Sequence, residues 1–416
     1  MQTVVLAAGE GSRMGALTDE TPKPCLPVAG RPLVSHTLDA AVAAGASRFV
    51  VVVGYGAEQV RTALGDRHAG VPIEYCHQPT QRGTADAVLT AQSQLSDAPF
   101  LVLNGDALYD TPSLSRVYDT VPSVGSYVAE DPSQYGVLEL EDGAPADLTV
   151  DERGVSSDGG SGAGRVVSVT EKPDDPQSNL VNAGAYAFPA SAREALEDVA
   201  ESERGEFELT DLLEQLCTTQ HVEAVPFARW VDVGRPWELL AANEWKLGEL
   251  PERVEGEVAP GATLDGLVVV EEGATVREGV TIEGPALIQS GATVGPNAYV
   301  RGATVVGPDA HVGHAVEVKN SVVGERSNVA HLSYVGDSVL AHDVNLGAGT
   351  VVANLRHDGA PVELTVKEQR RSTGRRKFGA VVGHDAKTGI NTSIDAGVTL
   401  APGARTALGE TVTRDR

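Results

Sequence analysis

The sequence is poor in cysteine, in aromatic residues and in lysine. Its three cysteines stand at 25, 76 and 217, an odd number with no CxxC pair and no metal-ligand spacing. That argues against a disulfide framework and reads as small apolar side chains in a reducing cytosol. No apolar run approaches the ~18 residues needed to cross a bilayer. A β-branched strand is read from residue 3, so no signal peptide is expected. Only seven of the 32 basic residues are lysine, against 58 acidic residues, and the formal net charge is −26. Such a diffuse acidic surface suits neither nucleic acid nor an anionic membrane. It suits solubility in a salt-rich cytoplasm. Anionic substrates must then be held by local basic islands in a repulsive field that salt screens.

What the chain does have begins almost at once. Thr3 to Leu6 reads as a buried strand, and Leu6 to Pro27 (LAAGEGSRMGALTDETPKPCLP) follows it. Glycines at 9, 11 and 15 allow a sharp turn and let peptide N–H groups reach a phosphate. Arg13 lies inside the loop, and Lys23 stands between two prolines. Two fixed cations beside such a turn suit a nucleoside triphosphate. The spacing is not GxGxxG, and Val53-Gly54-Tyr55-Gly56 offers no acid after the second strand, so a dinucleotide site does not fit. There is no GK[ST] for a Walker A loop.

The 416 residues allow two or three domains. Periodicity predicts helices at Leu33–Ala44, Glu58–Leu64 and Thr84–Gln92, alternating with strands at Phe49–Val53, Ile73–Cys76 and Phe100–Leu103. Alternation of this kind implies a mostly parallel, Rossmann-like α/β sheet with ligands at the strand C-termini. Gln78 carries both a donor and an acceptor, which suits a pyrimidine edge. Thr84 is expected to cap a helix. Asp106 follows a strand and a glycine, well placed to hold Mg2+. Asp151 to Arg165 is rich in glycine and serine and reads as a flexible loop. Shorter helices are expected at Glu208–Leu216 and from Pro236 to about Leu247.

From about residue 254 aliphatic residues recur every six positions, from Val276 to Val318. After a one-residue slip the series resumes at Val323 and runs to Val352, and a last series runs from Val382 to Val412. This is a hexapeptide solenoid with three hexads to a triangular turn. His311, His314, His331 and His342 fall on nearby coils. The HxxxxH spacing of γ-class carbonic anhydrases is missing, which argues against zinc among them.

LAAGxGSRMxxLTxxxPKPxLPVxGxPL resembles the signature of sugar-1-phosphate nucleotidyltransferases. The resemblance implies that Leu6, Ala7, Ala8, Gly9, Gly11, Gln78, Gly83 and Thr84 serve the nucleotide, with Arg13 and Lys23 as catalytic cations. It implies Gly136, Glu171, Lys172 and Asn182 on the sugar-phosphate side, and Mg2+ held by Asp106 and Asp232. The hexapeptide region resembles the acetyltransferase half of bifunctional enzymes that make UDP-N-acetylglucosamine, in their archaeal-type branch. That implies a left-handed β-helix, a homotrimer, and His331 as the base that deprotonates the acceptor amine. Arg301, Lys319, Tyr334, Asn345 and Lys377 would bind the acetyl acceptor, and Ala348 and Asn354 would serve acetyl-CoA.

The reading is therefore a cytoplasmic enzyme with a nucleotidyltransferase domain at 1–248 and an acyltransferase domain at 254–416. It would use UTP or dTTP, a sugar-1-phosphate and acetyl-CoA. The alternative is a glucose-1-phosphate thymidylyl- or uridylyltransferase whose β-helix only trimerises or regulates. Asp232 leans toward that alternative, because the bacterial bifunctional enzymes carry Asn there.

Overall fold

A computed structural model describes residues 1–141, 163–202 and 204–416. They fall into two compact units. The first takes Met1–Glu10, Pro22–Cys25 and Pro32–Asp232; the second takes Gly11–Thr21, Leu26–Arg31 and Val233–Arg416. Among the described residues, no helix is long and apolar enough to cross a membrane.

A ten-stranded sheet organises the first unit. Four of its strands are parallel, in the order Phe100–Asn104, Gln2–Ala7, Arg48–Val53 and Val71–His77. Their near-continuous Val, Leu and Ile runs are those of strands covered on both faces, and Val4, Val5, Val50 to Val53 and Leu101 to Leu103 are buried. Helices Leu33–Ala44, Ala57–Leu64 and Thr84–Ala91 form where the period changes to that of a helix. Beyond the Phe100–Asn104 edge the sheet becomes mixed. Leu180–Phe188 runs antiparallel to it and to Ser123–Val128, which in turn pairs in parallel with Val222–Pro226. The Rossmann-like α/β portion is thus a parallel core that continues into antiparallel strands. Of the glycine- and serine-rich loop, residues 151–162 lie outside the described residues. Gly164 and Arg165 open the strand Gly164–Glu171 instead, paired with Ala224 and Glu223.

The second unit is built on three parallel sheets of short strands, eight, six and eight in number. Each strand pairs with its counterpart one coil later, as Thr263 with Thr281 and Thr281 with Tyr299. The one-residue slip appears as a shortened coil: Val305 pairs with Val322, and Val322 with Val339. This is the arrangement of a parallel β-helix. The six-residue aliphatics form one continuous core from Val268 to Val412. Each fully buried valine or leucine contributes about 1.5–3 kcal/mol by leaving water, and only stacking on the next coil provides that burial. Two inward positions of the last series are threonines. Thr388 bonds Thr350 and Thr406 bonds Thr392, each hydroxyl pair at 2.8 Å, so these polar groups are satisfied inside.

The insertion at about 355–378 folds against its own coils. Glu363–Val366 and Gln369–Ser372 form an antiparallel hairpin. Val362 and Phe378 are fully buried, and Arg370 Nη1 donates to the Gly397 carbonyl at 3.1 Å. Helix Pro236–Leu247 belongs to this unit too, where buried Asn243 accepts the Ala29 N–H at 2.8 Å.

Candidate active sites

The parallel register brings four strand ends to one edge of the first unit. Leu6 pairs with Asn104, Ala7 with Val53, and Val53 with His77. The backbones that leave these strands lie in close contact. Gly105 N–H donates to Leu6 O at 2.9 Å and Tyr55 N–H to Ala8 O at 3.2 Å. A Cβ at Gly105 would come within 2.7 Å of Leu6 O, so only glycine lets the Asp106 segment cross there.

Lys23 and Asp106 meet at this edge as an ion pair, the lysine almost completely buried and the aspartate partly exposed. Asp232 ends the strand Trp230–Asp232, which pairs antiparallel with Ala107–Tyr109 so that Asp232 lies opposite Ala107. Both carboxylates act on buried Tyr109. Its phenol is pushed well above the usual range, first by burial and then by Asp106, with Asp232 a smaller contribution. A carboxylate in the turn before Ala107 and another at the end of the strand opposite it are the hard oxygen donors that Mg2+ takes, and the Lys23 ammonium pairs with Asp106 as a cation. Arg13 lies in the second unit, on the short helix Ser12–Leu17, packed beside Gly234. A Cβ at Gly234 would meet Arg13 Nη2 at 3.0 Å.

Gln78 is buried, and its amide donates to Asp86 at 2.8 Å and to Gly83 O at 3.3 Å. Thr84 does not cap its helix. Gly83 occupies the cap, and Thr84 Oγ1 instead accepts the Leu209 N–H at 2.9 Å. The reason is the close approach of Phe207, whose backbone brackets Gly83. Gln81 escaped the sequence reading. Its amide donates to Ala8 O at 2.9 Å and so ties the third strand's loop to the first.

In the same unit, Gly136 pairs with Glu171 across antiparallel strands. Glu171 holds Lys172 at 2.9 Å and Arg204 at 3.5 Å. Asn182 is buried. It donates to Tyr186 at 2.6 Å and accepts the Gly184 N–H at 2.8 Å. Arg204 and Glu208 are additions that the sequence reading missed. Glu208 is buried beside Arg204 at 3.4 Å, and its carboxyl is pushed up to about 7, chiefly by burial and then by the Glu171 charge. A raised carboxyl in a charged cluster marks a functional candidate.

In the second unit, several of the candidate acetyl-transfer residues occupy outward columns created by coil stacking. Tyr299, Glu317 and Tyr334 share one column, and Arg301, Lys319 and Gly336 the next. Arg301 donates to Glu317 at 2.8 Å. Lys319 pairs with buried Asp337 at 2.6 Å, and Asn354 donates both to Asp337 at 2.5 Å and to Tyr334 at 3.1 Å. Burial, then the Glu317 and Asp337 charges, push the Tyr334 phenol up. A Cβ at Gly336 would meet Tyr334 Oη at 2.4 Å and Asn354 Nδ2 at 2.7 Å, so glycine leaves room for both side-chain tips to meet there. Asn345 accepts from Asn328 at 2.8 Å. His331 is exposed on the turn after Asn328–Val329, its carbonyl accepting the Gly349 N–H at 2.9 Å. Ala348 lies on the neighbouring turn, its carbonyl accepting from Asn391 at 2.8 Å. Lys377 is exposed beside Leu355, where the insertion leaves and rejoins the coils.

The nucleotidyl transferase family profile matches residues 2–247, and the profile of the GMPPB C-terminal domain matches residues 282–368. The chain is 35% identical to the bifunctional protein GlmU of Methanococcus aeolicus, over 96% of this chain and 92% of that one. It is 34% identical to a bifunctional sugar-1-phosphate nucleotidylyltransferase/acetyltransferase of Sulfurisphaera tokodaii, over 100% and 98%. It is also 34% identical to the UTP–glucose-1-phosphate uridylyltransferase AglF of Haloferax volcanii, over 57% of this chain and 92% of that one. The chain therefore belongs to the nucleotidyl transferase family and, along its whole length, to the family of bifunctional GlmU-type sugar-1-phosphate nucleotidylyltransferase/acetyltransferases.

Proposed function

We propose that this chain makes UDP-N-acetylglucosamine in two steps at two sites. The domain of residues 254–416, a left-handed β-helix in a cytoplasmic homotrimer, transfers acetyl from acetyl-CoA to glucosamine-1-phosphate. The domain of residues 1–248 then joins N-acetylglucosamine-1-phosphate to UMP from UTP and releases pyrophosphate. The observation that carries the reading is the outward cluster of Lys319, Asp337, Asn354 and Tyr334. A coil that served only as scaffold would not require a buried lysine–carboxylate pair on its outer face, because burying charge costs free energy.

In acetyl transfer the acceptor amine attacks the thioester carbonyl carbon, the C–S bond breaks, and CoA leaves as its thiol. His331 takes the amine proton, and its exposed position on a turn leaves the ring accessible. Arg301 and Lys319 hold the sugar phosphate, Tyr334 and Asn345 orient the sugar, and Lys377 approaches from the insertion. Ala348 and Asn354 face acetyl-CoA. In nucleotidyl transfer a sugar-phosphate oxygen attacks the α-phosphorus in line, and the bond to the β-phosphate bridge breaks. Leu6 to Gly11, Gln78, Gly83 and Thr84 hold the nucleotide, while Gly136, Glu171, Lys172 and Asn182 hold the sugar phosphate. Lys23 and Arg13 neutralise the charge that develops. Asp106 and Asp232 would hold Mg2+, which when bound screens the α-phosphate and the departing pyrophosphate.

The test is to follow free CoA thiol in high salt with glucosamine-1-phosphate or galactosamine-1-phosphate. Thiol release names the amino sugar. No release, alongside pyrophosphate formation from UTP or dTTP with glucose-1-phosphate, would leave the β-helix as a scaffold. The likeness of the first domain to a UTP–glucose-1-phosphate uridylyltransferase and the presence of Asp232 favour that second reading.

A further inference from the structure

The periodic core explains the inward side chains, and the cluster around Lys319 takes up part of the outward ones. A separate group of titratable side chains remains in the second unit. His342 and His384 lie on adjacent coils, each two residues beyond paired strand positions, since Leu340 pairs with Val382. The insertion at about 355–378 falls between them, so the six-residue count hides their adjacency. Their rings stack with centroids 5.2 Å apart and planes 14° apart. Glu20, on the Gly11–Thr21 segment of the same unit, completes the group. One ligand atom from each of the three lies within 4.8 Å of the other two.

The geometry points to a divalent transition-metal site of the Zn2+ class, ligated by His342, His384 and Glu20. Glu20 Oε2 is 3.4 Å from His342 Nε2 and 3.6 Å from His384 Nδ1. A tetrahedral ion with ~2.0–2.1 Å bonds separates its ligand atoms by about 3.3 Å, so these three need move little to close on one. The second nitrogen of each ring is already held by a carboxylate. His342 Nδ1 meets Asp343 at 2.8 Å, and His384 Nε2 meets Asp19 at 3.0 Å. Asp343 is fixed in turn by Arg326, at 2.8 and 2.7 Å. This outer carboxylate on the far nitrogen is how metal-binding imidazoles are oriented and made more basic. Two nitrogens and one carboxylate oxygen suit Zn2+, Co2+ or Ni2+ better than Mg2+. Three protein ligands leave a fourth position for water. The ion would clip Gly11–Thr21, the segment that bears Arg13, to two coils of the β-helix.

The test titrates metal-depleted full-length protein with ZnCl2 in the absence of nucleotide and Mg2+, followed by calorimetry. Co2+ in place of Zn2+ reports imidazole ligation through its visible absorption. One equivalent per chain is expected, with a rise in Tm. His342→Ala/His384→Ala should lose that equivalent, and Asp343→Asn should weaken it by about 10–100-fold. Glu20→Gln changes an exposed side chain and so guards against a double variant that does not fold. It should weaken binding at least tenfold. No saturable binding in the parent protein, which would leave only ion pairs, overturns the proposal. So does an imidazole-ligated Co2+ signal that survives in the double variant or is unchanged in Glu20→Gln.

Discussion

The two candidate sites are built by opposite strategies. In the first unit a single register gathers loops from four different strands, and the polar residues there are held by specific partners from distant parts of the chain. Gly105 can be nothing else, Lys23 has Asp106, and Gln81 reaches Ala8. In the second unit the coils repeat, so the inward positions are nearly interchangeable valines and leucines. Candidate polar residues stand in outward columns, where stacking sets Tyr334 after Glu317 and Lys319 after Arg301. The first site thus depends on long-range topology. The second depends on the register of neighbouring coils, and a shifted coil would dismantle it while leaving the core intact.

That contrast can be broken or sharpened by experiment. The largest effect is expected from Lys23→Met, which removes the proposed catalytic cation and leaves Asp106 without its ion-pair partner. Pyrophosphate release should fall about 10³-fold, with CoA release within twofold of the parent. Lys319→Ala leaves buried Asp337 with only the Asn354 and Asn320 amides and no cation, and should cost about 3 kcal/mol in urea unfolding of the second unit. It should also raise KM for the amino-sugar phosphate more than it lowers kcat. Leu346→Ala, at an inward position next to Asn345, should cost about 2–5 kcal/mol. Because it also disturbs the Asn345 register, CoA release should fall while pyrophosphate release persists.

Glu208→Gln should do the reverse and stabilise the first unit. The Glu208 carboxyl is pushed up to about 7 in the folded chain, above the ~4.3 of an unfolded glutamate. The native state therefore binds the extra proton between those values, and stability falls as pH rises through that window. The cost is fully present above pH 7. The substitution should gain on the order of 2 kcal/mol at pH 8, a gain that vanishes by about pH 4.5. A gain that does not depend on pH would remove the titration from the explanation. Gln81→Ala should have the smallest effect, a few-fold rise in KM for the nucleotide alone.

Much of this was legible in the sequence, for physical reasons that differ between the two units. Strand and helix periods in residues 1–104 set the parallel core, and the six-residue repeat set the β-helix, because both patterns record which side chains are buried. Helix Pro236–Leu247 was legible from Pro236 to about Leu247, since proline can open a helix and its apolar face repeats. What escaped depends on contacts between distant segments. Thr84 looked like a cap, but Phe207 approaches from 123 residues away and Leu209 takes the hydroxyl. Arg204 and Glu208 stood in no recognisable string, and only folding sets them beside Glu171. The insertion is rich in charged residues, yet Val362 and Phe378 carry it back onto its own coils. The pairing of His342 with His384 was hidden by that same insertion.

The central claim is that two independent sites work in one chain. It is tested most directly by measuring pyrophosphate release and CoA thiol release side by side in the parent protein, Asp106→Ala and His331→Ala. The account predicts a crossed result. Asp106→Ala loses nucleotidyl transfer and keeps acetyl transfer, and His331→Ala keeps nucleotidyl transfer while acetyl transfer falls by about 10²–10⁴-fold. Loss of both activities in either folded variant, or no acetyl transfer in the parent, would contradict it.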